Sequence, residues 1–220
     1  LTSTCGGIVT AIATTGTTYT ATVLGHDPVR DVALLKLTGA SNLATVKLDD
    51  DQAATVGASV TAVGNASGQG YLTEASGTVT STNASVQVKD ETDPTQVSTL
   101  TGMIQTTAGA VPGDSGGPMF DSEGEVVGMT TAGSQSVSTR TGGQTGSVTF
   151  RVPIETALKV VDLVRNGSDI GTVSVGARSF LGVSIASSST QIASIVADGP
   201  ADKAGLVVGD TITKIGSSTI

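Results

Sequence analysis

Val111-Pro112-Gly113-Asp114-Ser115-Gly116-Gly117-Pro118 specifies more than a turn needs. Gly113 permits a backbone geometry that a side chain would obstruct, so its N–H and that of Ser115 can point into one hollow. Gly116 and Gly117 let another chain approach closely, and Pro118 opens the segment that follows. A hydroxyl displayed beside such backbone donors is what nucleophilic serine chemistry requires. The plainer alternative is a glycine-rich hairpin turn that happens to hold a serine. Working outward, the octet lies between runs that read as strands, Met103–Thr107 before it and Pro118–Phe120 and Val126–Thr130 after it.

The same texture extends through most of the chain. Ile8–Ala13, Tyr19–Leu24, Val32–Leu37, Ala58–Val63, Gly77–Val79, Val86–Val88 and Ser147–Val152 are short apolar or alternating runs, separated by Gly, Asp and Pro turns. Of the 220 residues 29 are Gly, charged residues are 14% and aromatics 2%, a mixture that suits tight turns and pleated surfaces. The reading is an all-β fold. Ile154–Arg165 is the first segment with helical spacing, stopped by Asn166-Gly167, and it closes a first domain over residues 1–167. Residues 168–179 read as a connection, and residues 180–220 as the start of a second domain. Ser134–Ser147, rich in Gly, Ser, Thr and Gln, reads as a mobile loop.

Composition also excludes. A formal charge of −8 with 11 scattered Lys and Arg residues argues against a nucleic-acid surface. No apolar run is long enough to cross a bilayer as a helix. A single Cys, Cys5, allows neither an internal disulfide nor a cysteine metal cluster, and nothing suggests a metal or cofactor.

Gly113-Asp114-Ser115-Gly116-Gly117-Pro118 resembles the nucleophile loop of chymotrypsin-fold serine proteases, and the preceding Ile104-Gln105-Thr106-Thr107-Ala108-Gly109-Ala110-Val111 resembles the HtrA (Deg) branch in particular. Gly25-His26-Asp27-Pro28-Val29-Arg30-Asp31-Val32-Ala33-Leu34-Leu35-Lys36-Leu37 is similar to the segment that carries the family's catalytic aspartate. The resemblance therefore implies Ser115 as nucleophile, Asp31 as the carboxylate that orients the base, and an oxyanion hole at Gly113, Asp114 and Ser115. Asp27 competes with Asp31 but suits a turn beside Pro28 better. The implied fold is a chymotrypsin-like double β-barrel. The implied substrates are unfolded or exposed polypeptide segments, cleaved in extracytoplasmic protein quality control by a secreted or cell-envelope bacterial protein that can form homo-oligomers. Gly109, Ala110, Val111, Phe150, Arg151 and Val152 are expected around the pocket for the side chain before the cut. With Gly109 six residues before Ser115 there is no acid to select Lys or Arg, so small or medium apolar side chains are expected. Arg151 departs from the small residue usual in the family.

The family's chain order of His, Asp and Ser places the base well before Asp31. The only histidine, His26, reads as a turn residue. Either the catalytic histidine lies before Leu1, with the first barrel incomplete and the chain a fragment truncated at both ends, or Cys5 occupies its position and the protein binds polypeptides without cutting them. Truncation is the expectation, because a barrel lacking its first strands would leave unpaired edges.

The C-terminal stretch, Phe180-Leu181-Gly182-Val183 with Gly199-Pro200-Ala201-Asp202-Lys203-Ala204-Gly205-Leu206 and Gly209-Asp210, resembles the first part of an α+β PDZ domain. There the backbone N–H groups of Leu181, Gly182 and Val183 would hold a peptide's C-terminal carboxylate. A scaffold whose protease-like part is merely structural is the remaining alternative.

Overall fold

The computed structural model describes residues 9–12, 17–49, 53–89, 97–138, 145–176, 181–185 and 189–220. They form two compact units that divide after Gly176. In chain order the first contains β1 (Val9–Ile12), β2 (Thr18–Asp27), β3 (Val32–Leu37), β4 (Lys47–Leu48), β5 (Ser59–Gly64), β6 (Thr73–Lys89), β7 (Val97–Thr106), β8 (Pro118–Phe120), β9 (Glu125–Ser138), β10 (Thr145–Pro153), α1 (Ile154–Arg165) and β11 (Ser174–Val175). Mostly β structure is what the β-branched, glycine-punctuated sequence dictates.

Six of these strands close on themselves. β10, β7, β6, β5, β8 and β9 follow one another, and β9 pairs back onto β10 antiparallel, so the ring has no free edge. β4 adds to the outside of β9 in parallel, with Lys47 paired to the Glu125 carboxylate. Val60, Ala62, Val79, Ile104, Ala108, Met119 and Val127 fill the inside of the barrel. β2 is the spine of a second sheet, with β3 along one edge and β1 and β11 in succession along the other. This match to a chymotrypsin-like architecture is complete for one barrel; the other is an open four-stranded sheet among the described residues.

The two sheets share a core. Val32 from β3, Val86, Leu100 and Met103 from β6 and β7, and Phe150 and Val152 from β10 pack with Ala157, Val160 and Val164 of α1. α1 runs from Ile154 to Arg165 as its spacing predicts, and Ala157, Val160 and Val164 are its buried residues. It ends on Gly167 at φ 68°, where the N–H groups of Gly167 and Ser168 donate to Val164 and Leu163 carbonyls. That double bond closes the last turn as a Schellman cap, which asks for a glycine at this position.

Three expectations need correction. The expected loop Ser134–Ser147 is largely a hairpin, since β9 runs to Ser138 and β10 starts at Thr145 with Thr145 opposite Ser138; residues 139–144 lie outside the described set. Gly77–Val79 and Val86–Val88 belong to one long bulged strand, β6. Residues 168–176 are not a connection. Val173 and Ser174 are buried, β11 pairs with β2 at Gly25 and His26, and Gly176 N–H donates to Leu24 O at 2.7 Å. A side chain at Gly25 would come within 2.6 Å of Ser174 O, so glycine is required for this segment to dock.

The second unit is small. β12 (Val183–Ile185) pairs with β13 (Ile192–Ile195), a single turn α2 (Pro200–Lys203) follows, and β14 (Lys214–Ile215) pairs with β15 (Ser218–Thr219). Ile192 and Ala201 are its buried apolar residues, while Leu181, Ile185, Val207, Val208 and Ile215 remain exposed. Phe180 lies outside the described residues.

Asp27 is the clasp that holds the 168–176 segment. Fully enclosed, its carboxylate accepts the N–H groups of Val29 (3.0 Å) and Arg30 (3.2 Å), the Arg30 guanidinium and the Thr172 hydroxyl (3.0 Å). Burial alone would raise its pKa; the bonds from Arg30, Thr172 and the two backbone donors outweigh burial and hold it below the ordinary 3.8. Asp27→Ala is expected to cost about 1–3 kcal/mol, read as a roughly 5- to 150-fold loss of hydrogen-exchange protection at the Gly176 amide. Because the folded-state pKa is lowered, this contribution is full at neutral pH and is lost as pH falls past 3.8 and through the folded value. Denaturation curves of the two proteins should therefore differ at pH 7 and converge on the acid side.

Candidate active site

The octet forms the connection between β7 and β8, and its fold follows from its glycines. Gly113 has φ 102°, and a Cβ there would lie 2.4 Å from Asn65 O. At Gly117 a Cβ would lie 2.3 Å from Val63 O. Only glycine admits both approaches, so the loop seats directly on the end of β5 and the 3-10 turn at Ala66–Gly68. Ser67 N–H fastens it there by donating to Pro112 O at 2.6 Å.

Asp114 sits at the inside of the turn. Its N–H donates to Val111 O (3.1 Å), and its Oδ2 accepts Val111 N–H (2.9 Å). Its Oδ1 is buried without a hydrogen-bond partner and borders a cavity of about 20 Å³ shared with Gly64, Gly109 and the start of β6. The expectation that Asp114 contributes an oxyanion donor is thereby corrected, since its N–H is engaged within the turn. The N–H groups of Gly113 and Ser115 make no hydrogen bond among the described residues. Ser115 itself is exposed.

β9 ties the loop to Asp31. Gly116 N–H donates to Thr130 O at 2.7 Å, and Thr130 N–H donates to Gly117 O at 2.8 Å. The next residue, Thr131, is buried and its hydroxyl donates to Asp31 Oδ2. Asp31 occupies the turn before β3 with φ 56°, a left-handed conformation uncommon outside glycine. Residues distant in sequence thus meet on consecutive positions of one strand. Thr131 was not found from the sequence; only its adjacency to Thr130 at the end of an apolar run signalled it.

The substrate-pocket expectation divides. Gly109 and Val111 are exposed and Ala110 is half-buried. Phe150 and Val152 turn into the core under α1 and so do not line a pocket. Arg151, between them, faces the barrel interior. It is fully enclosed, and its guanidinium donates to Phe150 O (3.1 Å), Ala108 O (3.2 Å) and Gly109 O (3.5 Å). Burial lowers its pKa to about 10, against the opposing pull of the Asp114 carboxylate, so it remains a cation at neutral pH.

His26 lies within β2, half-buried, with Ala33 of β3 on one side and Ser174 of β11 on the other. Cys5 is outside the described residues. Among the described residues no three His, Cys, Asp or Glu side chains stand together as a metal site.

In the second unit, the Leu181 and Gly182 carbonyls accept the N–H groups of Ala201 (2.8 Å) and Val196 (2.9 Å), while Val183 pairs with Ile195. Gly182 has φ 81°.

The trypsin-like peptidase domain family matches residues 2–129. A protein of Pseudomonas putida named periplasmic serine endoprotease DegP-like is 34% identical over 214 residues, covering 91% of this chain and 40% of its own length. A Brucella suis protein of the same name is 35% identical over 231 residues, covering 98% of this chain and 41% of its own. The crystal structure of the serine endoprotease from Yersinia pestis superposes with a TM-score of 0.54 at 25% identity, covering 96% of this chain and 65% of that one. The chain spans about 40% of the length of the curated relatives it matches. The nucleophile-type loop on a closed six-stranded barrel, the Asp31 tether and the match over residues 2–129 together make this chain a member of the trypsin-like peptidase family.

Proposed function

We propose that this chain belongs to a serine endopeptidase that cleaves exposed polypeptide segments outside the cytoplasm through an acyl-enzyme. One observation carries the reading: Thr130 holds the residues that follow Ser115, and Thr131 holds Asp31. In this mechanism Ser115 Oγ attacks the scissile carbonyl as its proton passes to a histidine. Asp31 fixes that imidazole's tautomer and stabilises the imidazolium. The Gly113 and Ser115 N–H groups receive the developing oxyanion, and the leaving amine takes the proton before water cleaves the ester. His26, half-buried in β2 and flanked by two paired strands, is unsuited to this part, so we assign the base to a histidine outside these 220 residues. The periplasmic names of the relatives support an extracytoplasmic setting.

The second unit fits the opening of a PDZ module that captures peptide C-termini by strand addition. Its exposed Leu181 and Ile185 on the β12 side are in keeping with that role.

The full-length protein is expected to be labelled covalently by a fluorophosphonate and to digest an unfolded protein such as reduced casein. Ser115→Ala should abolish labelling and lower kcat/KM by at least about 1000-fold, and Asp31→Asn should lower kcat by roughly 10⁴-fold with folding intact. Labelling that persists in Ser115→Ala would remove Ser115 from the role. A peptide with an apolar C-terminal residue should bind the full-length protein, and its C-terminal amide should bind at least about tenfold more weakly; equal binding would refute carboxylate capture.

A further inference from the structure

The turn that presents Asp31 is gripped from outside its own hairpin. β2 and β3 pair as far as Asp27 and Val32, which leaves Pro28, Val29, Arg30 and Asp31 to make the connection. Asp27 Oδ1 accepts the N–H groups of Val29 and Arg30, so the main chain just before Asp31 hangs on one carboxylate. Its Oδ2 receives two further donors, the Arg30 guanidinium and the Thr172 hydroxyl (3.0 Å). The guanidinium also donates to Thr172 Oγ1 at 3.2 Å. The three side chains close a cycle in which the hydroxyl gives its one proton to the acid and accepts one from the cation. Two of its members belong to the hairpin; Thr172 stands 142 residues away from Arg30 in the chain.

Thr172 has little choice of place. Val173 beside it is buried in the core shared by Val32 and α1, and its N–H donates to Ile170 O at 3.1 Å. Ser174 and Val175 then pair with His26 and Gly25 of β2. The turn, by contrast, has a reason to move. Asp31 is held at φ 56°, and a non-glycine residue in that region relaxes unless its surroundings prevent it. Its carboxylate is restrained by the Thr131 hydroxyl, and the main chain leading to it by the Asp27 cycle. Within that cycle the Arg30 side chain is 48% exposed, so water screens its charge. The Thr172 hydroxyl is the member that ties the turn to the core beneath α1.

We propose that Thr172 is a positioning residue for the reaction: docked on Asp27, it fixes the turn from which Asp31 meets the catalytic imidazole. The inference rests on the serine endopeptidase reading. Thr172 touches no reacting atom and acts only through Asp27 and the turn. Without its hydroxyl, an oxygen of an enclosed carboxylate is left to Arg30 alone, the turn gains freedom, and Asp31 departs from the geometry that orients the imidazole. That loss falls on the bond-making step, where imidazolium charge develops, and not on substrate binding.

The test is steady-state cleavage by the full-length protein, with an activated ester as substrate where variants are slow. Thr172→Val keeps the shape of the side chain and removes the hydroxyl. It should lower kcat by about tenfold with KM unchanged within about twofold, on a scale where a misplacement of about 1 Å costs roughly 100-fold. Thr172→Ser, which restores the hydroxyl, should return kcat to within about threefold of the wild type. In an Asp31→Asn background Thr172→Val should change kcat by less than about twofold, because the carboxylate it positions is gone. A merely structural role would lower the rate by the same factor in both backgrounds, and that result would overturn the proposal. So would an unchanged kcat in folded Thr172→Val, a loss confined to KM, or a Thr172→Ser protein as slow as Thr172→Val. Should Thr172→Val fail to fold, Arg30→Ala opens the same cycle from its half-exposed side, and an unchanged kcat there would overturn the proposal equally. If the full-length protein neither cleaves nor takes a fluorophosphonate at Ser115, the endopeptidase reading fails and this inference with it. Labelling at Ser115 that is as fast in Thr172→Val as in the wild type would sink this inference alone.

Discussion

Thr130 and Thr131 are neighbours on β9, about 3.8 Å apart at Cα, and each fastens a different part of the site. Thr130 acts through its main chain, accepting Gly116 N–H and donating to Gly117 O; Thr131 acts through its side chain, donating to Asp31. The separation of the loop and the carboxylate is thus set by the rise of one strand, and that strand has little freedom. β9 is bonded to β8 on one edge and β10 on the other inside a closed ring. A slip of one residue would exchange its two faces, so Thr131 would lose Asp31 at the same step that the nucleophile loop lost its register.

Such placement has a local cost. Asp31 is held at φ 56°, in a region that costs a non-glycine residue about 1–3 kcal/mol unless its surroundings over-determine it. The buried side-chain atoms without partners among the described residues are Asp114 Oδ1, Thr130 Oγ1 and Arg151 Nε. All three belong to the loop or to the two strands that support it. Among the other described residues, Thr106 and Thr149 bond to each other inside the barrel, and Asp27 satisfies four donors at once. The imperfect bonding is gathered at one place, a pattern that functional sites show more often than scaffolds do.

Much of this was legible in the sequence where the signal is local. The octet's glycines state their own conformational needs, α1 announces itself by spacing and by Asn166-Gly167, and β3 and β8 match their apolar runs residue for residue. What escaped depends on distant pairing. Nothing near Ser134 or Ser147 says that polar, glycine-containing segments will pair with each other; β9 and β10 continue because each supplies the other's hydrogen bonds. Residues 168–176 looked like a connection because their partners, Asp27, Leu24 and His26, are some 145 positions away. The pocket assignment erred differently. Alternation along Phe150-Arg151-Val152 already separates the arginine from its neighbours, and once Phe150 and Val152 are read as core residues only Arg151 can face the loop.

The turn that carries Ser115 shows how the remaining piece is arranged. Asp114 bonds reciprocally with Val111, N–H to carbonyl one way and N–H to carboxylate the other, which fixes it as the inward residue of the turn. Gly113 takes a positive φ of 102° in the same turn, and its N–H and that of Ser115 make no hydrogen bond among the described residues. The two donors are consequently free of internal partners because of the turn's own bonding and not by chance. On the proposed reading, donors left unpaired in a loop held by Thr130, Ser67 and the packed glycines would need little reorganisation when negative charge develops before them. On the proposed reading, the bonding that encloses Asp114 Oδ1 one residue before the serine is also what would leave those donors open to an anion.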